Sequence, residues 1–304
     1  MSKAMKRYDA GKIEISQVSK FCLFGASFIM MFFALSFITL MLKELPISER
    51  NRILTTSALQ CILVFIIPAL IEARIESRKP LDLLSLDTRP GWQYIVFVIL
   101  CYITGMCALN QLIYWNDIIT LPESLAEIEK TMREWEENSR QFANIILSDT
   151  SIGGLVSGLL IVGLLTGISE ELFFRAGIQR MLSETFSRHV AIWISAIVFS
   201  AMHFQFFGFF PRLILGAFFG YLYAWSGSIW TAIFAHALNN SLVVISSWLS
   251  ARGIFSFDLE RLGISESGMP YAAIISVTIT SLLIYKFLDW RKYNISWQIR
   301  HSEK

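Results

Sequence analysis

Charge is what this sequence has least of. Only 16% of its 304 residues are Asp, Glu, Lys or Arg, against about 25% in soluble domains, while 54% are hydrophobic and the mean hydropathy is +0.53. That scarcity excludes an ordinary soluble globule. The net charge of +2 and the lack of any basic stripe exclude an electrostatic partnership with nucleic acid. Cysteine is equally sparse. Cys22, Cys61, Cys101 and Cys107 lie in separate apolar runs without CxxC or Cys/His spacing, so they read as small buried hydrophobes, with neither a disulfide framework nor a zinc site indicated. HExxH is missing too. No internal repeat or low-complexity segment is present, and residues 1–304 are taken as one integral membrane domain.

What is there is a series of apolar windows long enough for about 30 Å of hydrocarbon. They run Phe21–Leu42, Ile53–Ile71, Tyr94–Trp115, Ile152–Ile168, His189–Phe207, Leu213–Trp225, Ile229–Leu249 and Tyr271–Leu288. The expected fold class is therefore all-α: a polytopic membrane protein with a bundle of about eight transmembrane helices. The first window follows basic residues, as a signal peptide would. It is longer than a signal-peptide core and no Ala-x-Ala site follows, so it reads as a retained span. The fourth window should continue through the charged stretch after it, and the sixth is short enough to be tilted. Gly216 and Gly220, four apart in the sixth, would let another helix backbone come close. Lys and Arg are about twice as frequent in the connections on the side of the termini as in the others, which places both termini in the cytoplasm.

The one sizeable segment outside the windows, 116–150, is acidic and falls on the other side. Leu121-Pro122-Glu123 opens like a helix start, and Leu125, Ile128, Met132, Trp135 and Phe142 recur near helical spacing. An amphipathic helix on the membrane or over the bundle is expected, its acids a solvated face.

Against this apolar background the polar residues of windows four to seven are conspicuous. An ionisable group at membrane depth costs about 2.5–3.5 kcal/mol on insertion scales and is a functional candidate by default. After the uncharged run 152–165 comes Gly167-Ile168-Ser169-Glu170-Glu171-Leu172-Phe173-Phe174-Arg175. On a helix, Glu171 and Arg175 share a face with the acid N-terminal to the base, while Glu170 points elsewhere. One carboxylate can be held by a cation and its neighbour left available. Phe199 and His203 are four apart in the fifth window, and His236 and Asn240 are four apart in the seventh.

Singly, each feature has a plain reading: a helix leaving the membrane, or a histidine bonding helix to helix. Jointly, the cheapest arrangement is a shared polar intramembrane cavity. It would contain a carboxylate and an imidazole to deprotonate water, and an imidazole and an amide to stabilise an oxyanion. A Glu/His/His zinc site is the competing arrangement. Counting from the helix starts puts His203 further from the cytoplasm than His236, so the cavity closes only with a kink or tilt.

The set Glu170-Glu171-x-x-x-Arg175, Phe199-x-x-x-His203 and His236-x-x-x-Asn240, in this order, resembles the three motifs of the CAAX protease and bacteriocin-processing family of intramembrane proteases. Gly220-Tyr221-Leu222-Tyr223 and Gly227-Ser228-Ile229-Trp230 are similar to that family's lead-in to its last motif. The likeness covers about residues 152–250. It implies an eight-helix bundle and a glutamate-dependent endopeptidase with no obligatory metal, acting on a membrane-associated peptide or protein, in a bacterial inner membrane. By the resemblance, Glu170 and His203 activate water, His236 and Asn240 form the oxyanion hole, and Glu171 with Arg175 is an orienting ion pair. The family's eukaryotic members cut prenylated CAAX tails, and its bacterial members are associated with bacteriocin maturation, self-immunity or secretion. A non-catalytic scaffold or immunity protein, or a zinc protease, are the alternatives.

Overall fold

The computed structural model describes residues 15–254 and 259–302. The basic N-terminal residues up to Lys12, which enter the orientation reading, lie outside them. Helices make up the fold: α1 Gln17–Lys43, α2 Glu49–Glu76, the single turn α3 Pro80–Leu83, α4 Trp92–Asp117, α5 Ala126–Leu147, α6 Ile152–Ser183, α7 Arg188–Ala201, α8 Phe209–Ser226, α9 Ile229–Ala251 and α10 Tyr271–Ser302. Among the described residues, α1, α2, α4, α6, α9, α10 and α8 with its lead-in turn are long and apolar enough to cross a membrane. The chain is an all-helical, polytopic integral membrane protein.

Seven of the eight windows thus become spans, and the exception is not the expected one. The sixth window, read as short, extends to Phe209–Ser226 with a 3-10 turn at Phe206–Gly208 before it. The fifth stops early. α7 has 14 residues, about 21 Å at 1.5 Å per residue, and its chain turns at Met202 and His203 instead of running to Phe207. Ser187 caps its start, its side chain accepting from Val190 N–H. From its last turn, Ser200 Oγ donates to the Phe209 carbonyl at 2.7 Å, and past its end Arg212 donates to both the side-chain oxygen and the carbonyl of Gln205. These bonds fold the turn back against the start of α8.

The connections 77–91, 184–187 and 227–228 share one end of the bundle, called lower here, and 44–48, 118–151 and 202–208 share the upper end. Ser228 and Trp230 donate to the carbonyls of Thr88 and Leu86 below, while Asn116 binds Phe206 O and Phe210 N above. α6 runs unbroken through the double glutamate, as expected, but with two wide π-helical segments, Leu159–Leu165 and Leu172–Gln179. Between them only Thr166–Glu171 is α-helical.

Two close helix contacts set the position of this stretch. A Cβ on Gly167 would lie 3.0 Å from Ala237 N, so α6 and α9 meet there almost backbone to backbone. On α8, the space over Gly216 and Gly220 is filled by Phe199 and Ile192 of α7, the close approach expected from their spacing. α5 forms where the amphipathic segment was expected, and no residue in it is buried.

Candidate active site

The middle of α6 carries the site. Glu171 and Arg175 are both buried and form an ion pair at 3.0 Å, with the i,i+4 geometry expected of them. Arg175 is held from three directions. Its Nη2 donates to the Gly216 carbonyl at 2.9 Å, and its guanidinium lies 4.6 Å from the centre of the Phe199 ring and 5.5 Å from that of Phe219. One turn on, Gln179 donates to the Gly220 carbonyl in the same way, at 3.1 Å.

α9 brings the first imidazole. His236 lies flat against Phe219, ring centres 4.9 Å apart and planes 18° apart, with Phe199 edge-on at 5.8 Å. Its Nδ1 is 2.8 Å from Glu171 Oε1, and its Nε2 is 3.8 Å from Glu170 Oε2. A carboxylate only accepts, so Nδ1 carries the proton. The two glutamates therefore differ. Glu171 is fully enclosed with its Oε1 engaged by Arg175 and His236, whereas, among the described residues, Glu170 has no arginine partner and its side chain keeps 12% of its surface accessible; the Oε2 of each has no protein hydrogen-bond donor.

His203 arrives from the turn after α7. Its Nδ1 donates to the Phe199 carbonyl at 2.8 Å, which fixes the tautomer and leaves Nε2 as the acceptor. The Phe199 ring packs 5.0 Å from it. The same ring stands edge-on to His236 at 5.8 Å, so the two imidazoles share one wall. The difference in depth noted in the sequence is thus closed by the turn, which bends His203 back toward the other two groups.

Asn240 stands one turn beyond His236 on α9, with its amide bonded to the Val162 carbonyl in the first π segment at 3.1 Å, and its oxygen accepting from Asn239. It sits at the upper margin of the cluster, with one amide N–H beyond that bond. The structure therefore gathers Glu170, Glu171, Arg175, His203 and His236 and places Asn240 at their edge. Among the described residues, no three His, Cys, Asp or Glu side chains converge as a metal-ligand set.

Three participants were not signalled by the sequence. Phe219 is one phenylalanine among several in an apolar helix, yet it forms the wall for both His236 and Arg175. The π segments have no residue signature. Cys61, in a π segment of α2, lies 3.7 Å from Thr166 Oγ1, on the same stretch of α6 as the glutamates.

No curated protein and no solved structure matches the chain. Residues 152–242, which supply Glu170, Glu171, Arg175, His203, His236 and Asn240, match the family model described as Type II CAAX prenyl endopeptidase Rce1-like, a family of membrane proteases and the one that the three motifs resemble.

Proposed function

We propose that the protein is an intramembrane endopeptidase that hydrolyses a peptide bond of a membrane-associated peptide or protein with water activated by Glu170 and His203. The observation that carries this reading is the unequal treatment of two neighbouring carboxylates. Glu171 is wholly enclosed with its Oε1 fixed by Arg175 and His236, whereas Glu170 keeps 12% of its side chain accessible, makes no ion pair with Arg175, and has an undonated Oε2 near His236 Nε2. His236 Nε2, 3.8 Å from Glu170 Oε2, is beyond a direct hydrogen bond, so that carboxylate oxygen remains able to accept from a water.

In the proposed sequence, Glu170 accepts a proton as the water oxygen attacks the scissile carbonyl, with His203 Nε2 accepting the water's second hydrogen bond. His236 Nε2 and the remaining amide N–H of Asn240 donate to the oxygen that becomes negative. With Nδ1 already donating to Glu171, this role requires His236 to carry both ring protons. Collapse of the intermediate breaks the C–N bond, and the proton held by Glu170 passes to the leaving amine. No metal enters these steps.

Glu170→Ala and His203→Ala in the purified protein, assayed against reporter peptides in liposomes, test the pair. Loss of about 100-fold or more in kcat is expected for each, the size of a general-base contribution. Turnover unchanged in both variants would remove the mechanism. Full activity in chelator-treated, metal-free protein is expected, and activity that returns only with zinc would favour the metal arrangement.

We also propose that the lower end faces the cytoplasm of a bacterial cell, on the support of exposed Arg78, Lys79, Arg89 and Arg188 there and the acidic α5 opposite. Reporter fusions at 184–187 and within α5 should report opposite sides.

A further inference from the structure

The proposed chemistry asks His203 to hold one orientation, yet His203 is the member of the cluster that no helix carries. α7 ends at Ala201, and three residues later Phe204 has φ of 53°, in the left-handed region that is costly for a bulky side chain. Such a conformation persists only where its surroundings over-determine it. Part of that surrounding is α5. Trp135 stacks on Phe206 at 6.1 Å and meets Phe204 edge-on at 6.1 Å, and the Arg133 guanidinium lies 3.9 Å from the centre of the Phe207 ring. Every ring contact that α5 makes with the rest of the chain, among the described residues, falls on 204–207. The helix is itself tied to the end of α4, where Arg133 donates to the Ile119 carbonyl at 2.8 Å and Arg140 pairs with Asp117 at 2.6 Å.

We infer that the extramembrane helix α5 is a positioning element for His203, acting through Trp135 and Arg133 on the turn at 202–207. The inference rests on reading His203 as part of the water-activating pair. The rings of Trp135, Phe204 and Phe206 hold the turn in its left-handed conformation, and the turn keeps His203 Nδ1 on the Phe199 carbonyl, which leaves Nε2 as the free acceptor. The charged groups around the imidazole are Glu170, His236 and Arg212, and Glu136 of α5 acts in turn on Arg212. α5 thereby touches the histidine's surroundings by packing and by charge, without reaching the reacting atoms.

The test is the nitrogen NMR spectrum of the full chain labelled at its four histidines, in detergent, above the imidazole titration range. His203→Gln identifies the signal. In the unaltered protein His203 should show the single tautomer protonated at Nδ1. Trp135→Ala should convert it to a mixture of both tautomers while leaving the His236 signal in place, and Trp135→Phe should keep the single form. Where turnover is measured, Trp135→Ala should lower kcat by about tenfold with KM unchanged, as expected for a misplaced catalytic group. A single Nδ1–H tautomer at His203 in Trp135→Ala would overturn the inference. Should that variant fail to fold, Arg133→Ala carries the same test with the same two outcomes. The NMR readout does not depend on turnover, so a protein that cleaves nothing would end the protease reading and leave this one to be decided by the tautomer.

Discussion

At the scale of the residue, two carboxylates side by side in the chain have different surroundings. Glu171 is neutralised where it stands by Arg175, which is itself bound to a carbonyl and enclosed by rings of Phe199 and Phe219. Removing one partner of such a buried pair leaves an uncompensated charge. Arg175→Ala is expected to destabilise the protein by about 3–5 kcal/mol, read as a fall in the detergent melting temperature. Arg175→Lys keeps the charge but has no planar fork to serve Glu171 and Gly216 together, so it should recover only part of the loss. The Glu171–Arg175 pairing was legible from spacing alone, because i,i+4 neighbours on a helix meet whatever surrounds them. The partner of His236 was not. Its bond to Glu171 depends on how closely α9 approaches α6, which no local pattern encodes.

At the scale of the element, that approach is set by Gly167. A valine there would place its Cβ 3.0 Å from Ala237 N, against backbone that has no way to yield. Gly167→Val should separate α6 from α9, break the 2.8 Å contact of His236 with Glu171, and abolish turnover. Overpacking of this kind costs about 1–3 kcal/mol or more. Gly153→Ala, where the nearest atom is Ser151 Oγ at 3.6 Å, is the matched control and should be silent in both activity and melting temperature.

The existence of α6, α8 and α9 was readable from hydropathy, and so was α5 from its periodicity. The end of α7 was not, because the residues after Ala201 remain as apolar as a span and only His203 and Gln205 interrupt them. The tie between α5 and the preceding chain also has a pH dependence. The Leu121 N–H, and then Arg133, hold the Glu129 carboxyl below the usual glutamate range. A depressed pKa stabilises above the unfolded value and is lost as pH falls through the folded one. Protection of the amides in 116–130, relative to their intrinsic exchange at each pH, should therefore fall on acidification below the ordinary glutamate pKa, and Glu129→Gln should show the reduced protection already at neutral pH.

At the scale of the whole molecule, the lower ends of α1, α2 and α6 are joined by a buried ionic cluster. Lys20 pairs with Glu76 at 2.9 Å and Glu184 at 2.6 Å, and Arg180 pairs with Glu72 at 2.6 Å and Glu76 at 2.8 Å. By sequence alone, Lys20 and Arg180 fall among the connection charges that bear on orientation. The structure buries both, because their acidic partners come from other helices and only the assembled bundle brings them within reach. Arg180→Ala should loosen all three helices together, at a cost of about 3–5 kcal/mol, and limited proteolysis at the lower end should detect it.

The brevity of α7 bears on the lipid around it. Its outward side chains Val190, Trp193 and Ile197 are exposed, and they cover about 21 Å where the neighbouring helices span the full hydrocarbon layer. Acyl chains bordering that helix must shorten or splay to avoid wetting the turn that bears His203, a deformation whose cost grows with each ångström of mismatch. The protein should accordingly work fastest in bilayers built from short-chain phospholipids and slow as the chains lengthen, with the thickness of the surrounding membrane acting as a setting on its rate.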